Sequence, residues 1–129
     1  MGEKRLKRKV TVIFATDVVG YSKHVEENES LTIKTYGIRE TILLRLIADF
    51  RGRVFNTGGD SVLAEFSSAV DAVECAAAFQ EQMTEINIKP DTDCRLEFRV
   101  GINMGDVIQK NKNLLGDGVN IAARLEAFA

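Results

Sequence analysis

Two aspartates stand where a chain does chemistry rather than packing. Asp17 comes directly after the apolar run that ends near Thr16, and Asp60 lies in the glycine-rich turn Asn56-Thr57-Gly58-Gly59-Asp60, 43 positions further on. Two carboxylates brought together repel unless a cation lies between them, and hard oxygen ligands of this kind suit Mg²⁺ or Mn²⁺. Without such a cation, Asp17 serves as a turn cap and Asp60 as a hairpin residue. Between Val18 and Ser22 the backbone passes through Gly20 ahead of a helical pattern. Consecutive N–H groups in such a bend can point at an anion or simply close a turn. Towards the C-terminus, Asn120 and Arg124 are four apart and share one helix face, with Asp117 about one turn earlier. Arg124 suits the stabilisation of phosphate charge, and equally a salt bridge or full solvation.

The remaining inventory narrows the chemistry. His24 is the single histidine, which disfavours zinc sites and catalysis by Ser-His-Asp or Cys-His groups. Cys75 and Cys94 lack CxxC spacing and read as free, inert thiols. A net charge of −2 over 129 residues argues against a broad nucleic-acid footprint. The strongest apolar stretch, Ile42 to Ile47, is broken by Arg45 and falls far short of the ~20 residues of a membrane span. No signal-peptide pattern follows the basic start, so the expected location is cytoplasmic.

The elements that must carry these residues follow from periodicity. Residues 1–8 read as a basic linker end, and residues 9–129 as one domain. Lys9 to Thr16 is almost continuously apolar and β-branched, as in a strand covered on both faces. After a turn-like segment, Ser30 to Phe50 places Ile33, Tyr36, Leu43 and Ile47 on one side of a helix. Arg53–Phe55 and Ser61–Phe66 flank the glycine-rich turn as a hairpin. Ser68 caps a second amphipathic helix that ends before Pro90. Leu96 to Ile102 alternates with period two, the following segment folds back as a hairpin, and Asp117 caps a last helix reaching Phe128. The expected class is α+β, a ferredoxin-like βαββαβ core with an added C-terminal strand and helix. Such a core carries both helices on one sheet face and leaves the other to water or a partner.

The segments VIFATDVVGYS, NTGGDSVLAEF, FRVGINMGDVI and GDGVNIAARLE occur in this order between Val12 and Glu126. Together they resemble the class III adenylate/guanylate cyclase catalytic domain, particularly its bacterial forms. By that resemblance Asp17 and Asp60, with the Val18 carbonyl, bind two Mg²⁺ or Mn²⁺ ions. The backbone of Val19, Gly20, Tyr21 and Ser22 holds the triphosphate of ATP or GTP. Asn120 orients the ribose and Arg124 stabilises charge at the reacting phosphorus, giving a 3′,5′-cyclic nucleotide and pyrophosphate.

The resemblance also implies a head-to-tail homodimer, because the metal aspartates and the Asn/Arg helix of one site come from different protomers. An upstream sensor or regulatory domain belongs to the same picture. Asn56 and Asn113 occupy the base-reading positions, where adenylate cyclases commonly carry Lys and then Asp or Thr, and guanylate cyclases Glu and Cys. An amide both donates and accepts, so it can meet either purine. Family domains continue into further strands after the catalytic helix, with a phosphate-contacting lysine that has no counterpart here, so the chain reads as a shortened form. The expected activity is a purine nucleotide cyclase favouring ATP; the alternative is a regulatory or dimerisation module without activity.

Overall fold

The computed structural model describes residues 6–126, and for Asp117, Ile121, Arg124, Leu125 and Glu126 the backbone only. Along it run β1 (Leu6–Val18), α1 (Tyr21–Glu27), α2 (Glu29–Asp49), β2 (Arg53–Gly58), β3 (Ser61–Phe66), α3 (Ala69–Asn87), β4 (Phe98–Lys110), β5 (Asn113–Leu115) and α4 (Asp117–Glu126). The strands form one antiparallel sheet in the order β2-β3-β1-β4-β5. Its first four strands have the expected ferredoxin-like order, and β5 adds an edge.

β1 is central, and its alternation divides the core in two. Val12, Phe14 and Val18 join Ala64 and Phe66 of β3 under α2 and α3, where Leu43, Ile47, Phe79 and Met83 are fully buried. Ile13 and Ala15 face the other way and pack with Val107, Leu114 and Ala122. This second layer corrects the expectation of an uncovered face: α4 lies across it. Its cause is the turn after β5, which folds the chain back over β4 once the sheet has ended.

Other boundaries also move. Leu6 to Arg8 belong to β1, opposite Lys110 to Ile108, because β4 runs on well past Ile102 and offers them a partner. Residues 1–5 and 127–129 lie outside the described residues, and with them part of the basic run and the end of the helix expected to reach Phe128. The segment expected as a turn contains α1, held by an edge contact of the Tyr21 and Tyr36 rings at 5.9 Å and by Thr32 Oγ1 donating to the His24 carbonyl at 2.9 Å. α2 begins at Glu29, one residue before the expected Ser30, and Asn28 caps it, its Oδ1 accepting from the Leu31 N–H at 3.1 Å. Ser68 caps α3 as expected, accepting from the Asp71 N–H at 3.2 Å. Cys75 and Cys94 are both free and buried, and burial pushes the Cys75 thiol up to about 11.

The sheet curls, and Glu65 pins the curl. It ion-pairs with Lys9 of β1 at 2.9 Å and Arg53 of β2 at 2.8 Å, while Arg53 Nη1 donates to the Lys112 carbonyl between β4 and β5 at 2.7 Å. Burial alone would raise the Glu65 carboxyl, but hydrogen bonds and charge from Lys9 and Arg53 hold it below its ordinary 4.5. A depressed carboxyl stabilises the fold above the unfolded value, and that contribution is lost as pH falls through the folded value. Acid titration of stability should therefore show a loss below about pH 4.5 in the wild type. In Glu65→Gln the stability at neutral pH should be lower and this acid limb flatter, as read by urea unfolding at stepped pH.

Candidate active site

The site is built at the C-terminal end of β1. Thr16 stands opposite Val62 of β3, so the last residues of β1 reach the turn before β3, and the Val18 N–H donates to Asp60 Oδ2 at 3.0 Å. Asp17 and Asp60 thus share one end of the sheet, as the spacing argument requires. They differ in surroundings. Asp60 follows Gly59, which supplies φ 55 for the tight β2–β3 turn, and spends one oxygen on the β1 backbone. Asp17 faces β4, where the antiparallel register sets it opposite Arg99.

Arg99 grips Asp17 with both arms of its guanidinium, Nε to Oδ1 at 3.0 Å and Nη2 to Oδ2 at 3.1 Å. The side chains are about one quarter exposed, 28% and 23%. Sequence reasoning passed Arg99 by as one of the alternating polar residues of a strand. The two are 82 positions apart, and no local signal joins them; only the register does. The carboxylate already holds a cationic group there, which fits Asp17 as a ligand for a hard divalent ion, with Asp60 as the second oxygen donor. Among the described residues no cluster of three or more His, Cys, Asp or Glu surrounds such an ion.

The bend after β1 carries the backbone N–H groups expected to meet the triphosphate, and they differ in what they already bind. Gly20 caps α1 with φ 61, a left-handed conformation that glycine adopts without strain. The Val19 N–H is already given to the Glu97 carbonyl at 2.8 Å, so it is withdrawn from the expected triphosphate contacts. The first bond of α1 runs from the His24 N–H to the Gly20 carbonyl, which leaves the Tyr21 and Ser22 N–H groups outside the helical ladder. Tyr21 turns its ring inward onto Tyr36, which in turn stacks on Phe98 at 6.1 Å. Burial, then the charges of Glu40 and Asp60, push the Tyr36 phenol above its ordinary range, so it stays protonated beside the site.

The base-reading candidates come from the two outer strands. A bulge between Val54 and Asn56 turns Asn56, opposite Leu63, onto the α4 side of the sheet, where it is exposed. Asn113 is exposed on β5 and accepts the Leu114 N–H at 2.9 Å. Its strand and Phe55, the neighbour of Asn56, line one groove of about 380 Å³, so the curl brings opposite edges of the sheet together.

Asn120 is exposed on α4, and among the described residues no hydrogen bond joins it to Asp17 or Asp60. The Arg124 side chain lies outside the described residues. The placement of α4 rests on a close approach: a Cβ on Gly118 would sit 2.8 Å from the Asp106 carbonyl oxygen and 3.2 Å from Val107 Cγ1. Asn103 Nδ2 ties down the same turn by donating to the Gly118 carbonyl at 3.1 Å. Gly118→Ala should cost about 1–3 kcal/mol in urea unfolding, because backbone must move. Gly37→Ala, in the middle of α2 with nothing within 4 Å, should instead stabilise by about 0.4–1 kcal/mol.

No family model matches the chain. It is 44% identical over 130 residues, its whole length, to putative adenylate cyclase 3 of Rhizobium meliloti (strain 1021), of which it spans 22%. It is 33% identical over 131 residues to the adenylate cyclase of Streptomyces coelicolor, covering 98% of the chain and 32% of that relative. Among solved structures, the adenylate/guanylate cyclase/hydrolase from Silicibacter pomeroyi superposes with a TM-score of 0.88 at 34% identity, over 97% of this chain and 73% of that one. A shared fold, four motifs in order and this breadth of identity lead to one assignment: the chain belongs to the class III adenylate/guanylate cyclase family.

Proposed function

We propose that the chain acts as a purine nucleotide cyclase, ATP favoured over GTP, in a signalling protein and as a head-to-tail pair of copies. The observation that carries this reading is the meeting of Asp17 and Asp60 at one strand end, beside the Gly20 bend. Asp17, Asp60 and the Val18 carbonyl are the residues to hold Mg²⁺ or Mn²⁺. When bound, the ions neutralise phosphate charge and favour loss of the ribose 3′-hydroxyl proton.

The chain's own groups do the positioning. N–H groups at Tyr21 and Ser22, after the Gly20 bend, bind triphosphate oxygens. Asn120 from the second copy orients the ribose, and its Arg124 lies against the α-phosphate, where negative charge grows. The 3′-oxygen forms its bond to the α-phosphorus as the bond to pyrophosphate breaks, and holding these groups in line is worth several orders of magnitude in rate. Asn56 and Asn113 meet the purine edge. Their departure from both base-reading pairs favours a second reading, a regulatory or dimerisation module, which the assay below decides.

The test is cyclic nucleotide formation from ATP or GTP with Mn²⁺. Asp17→Ala and Asn120→Ala should each lose nearly all activity alone. Mixed under subunit exchange, random pairing makes half the dimers heterodimers, each with one intact site, and activity should recover to roughly a quarter of wild type if the sites are independent. Activity in neither the wild type nor the mixture supports the module without catalysis; wild-type activity without recovery places both residues in one chain.

A separate assay addresses the base. Replacing Asn56→Lys and Asn113→Asp together should shift kcat/KM towards ATP. Wild-type discrimination should stay well below the ~10⁴-fold reached by dedicated polar readout.

A further inference from the structure

Asp17 and Arg99 form a two-point ion pair at the spot where the cyclase reading needs a metal ligand. Both carboxylate oxygens are engaged, at 3.0 and 3.1 Å. The pair is built in: the residues face each other in the β1–β4 register, on backbone hydrogen-bonded over the full length of both strands. A divalent ion entering beside Asp17 meets a fixed positive charge a few ångströms away, where the pair is only about one quarter exposed and water screens poorly. Arg95 and Arg99 also border a cleft of about 550 Å³ against Gln80, Thr84 and Asn87 of α3.

We propose that Arg99 is the resident counter-ion of the metal site, a positioning residue that holds the Asp17 carboxylate while the ion is absent and exchanges with the ion when it binds. The inference rests on the cyclase reading, since it takes Asp17 as a metal ligand. In this arrangement β4 sets the metal affinity of a carboxylate on β1. The aspartate stays oriented and neutralised without its ion, at the cost of competition when the ion arrives.

The experiment is a Mn²⁺ titration of the chain without nucleotide, with free Mn²⁺ followed by its electron paramagnetic resonance signal. Arg99→Gln should tighten Mn²⁺ binding by roughly three- to tenfold, the scale of one charge-assisted two-point pair released from competition. Arg99→Lys, which keeps the charge but not the fork, should fall between the two. Arg95→Gln removes a cation from the same cleft whose hydrogen bonds go to the Asn87 and Lys89 carbonyls, and it should change affinity by less than twofold. Asp17→Asn should abolish the site in either background.

A merely structural Arg99 would give unchanged or weaker Mn²⁺ binding in Arg99→Gln, with Asp17→Asn still abolishing it; that result overturns the exchange and leaves the cyclase reading standing. Equal tightening by Arg95→Gln reduces the effect to general charge and also overturns it. Mn²⁺ binding that survives Asp17→Asn removes the metal role of Asp17, and both proposals fall together. Circular dichroism of each variant at the titration temperature confirms the fold, and Arg99→Lys carries the comparison if Arg99→Gln unfolds.

Discussion

The structure hangs on a strand that has no free side. β1 is hydrogen-bonded to β3 along one edge and to β4 along the other, and side chains of both parities at its centre are buried. Strands satisfied in every direction are held in register, because a slip by one residue would drive every buried side chain of one face into the other. Phe14 could not trade places with Ile13 without emptying the pocket under α2 and α3 and crowding α4. That rigidity is what makes the end of β1 a usable address. Asp17 points to the α4 side because Ile13 and Ala15 do, and the Val18 N–H can reach Asp60 because the β1–β3 register stops where the β2–β3 turn begins.

Charge is handled in two ways in this fold. In the helical layer the buried Arg39 guanidinium has no carboxylate partner among the described residues; it donates to the carbonyls of Cys94 and Leu96, to Asn87 Oδ1 and to the Met83 sulfur. Burial lowers its pKa from the ordinary value, yet the carbonyl dipoles satisfy it, and it ties α2 to α3 and to the approach of β4. On the α4 side, cations meet carboxylates directly: Arg53 and Lys9 on Glu65 at one end, Arg99 on Asp17 at the other. The first pairing holds the curl of the sheet. The second lies where the cyclase reading places a metal ligand.

The aromatic column Tyr21, Tyr36, Phe98 and Phe79 runs within the helical layer. Its rings run from the first residue of α1 through α2 to the start of β4 and on to α3, with neighbouring centroids 5.0 to 6.1 Å apart. Offset and edge contacts of this kind add to simple burial. Their consequence is positional: the Gly20 bend is anchored before it by the Val19 bond to Glu97 and after it by the Tyr21 ring, which fixes the path of the backbone into α1.

What the sequence determined by itself were features set within a few neighbouring residues. The apolar run of β1, the alternation of Leu96 to Ile102, the Ser68 cap and the turn holding Asp60 are local patterns; each produced its element, although β4 begins at Phe98 and runs on to Lys110. Order of elements and four motifs were enough for the class and the family. The tertiary structure alone decided what depends on distant partners. α1 forms against Tyr36 and Thr32, although its own sequence reads as a turn. Leu6 to Arg8 become strand because β4 is long enough to pair with them. α4 covers a face that the ferredoxin-like pattern leaves open, and it can approach because Gly118 has no side chain to meet the Asp106 carbonyl. Arg99 meets Asp17 across 82 positions through a register that β1 obtains only when buried on both faces. Periodicity is a property of one segment, whereas register and curl belong to pairs of segments, and that is why the sequence placed the carboxylates and the fold chose their neighbours.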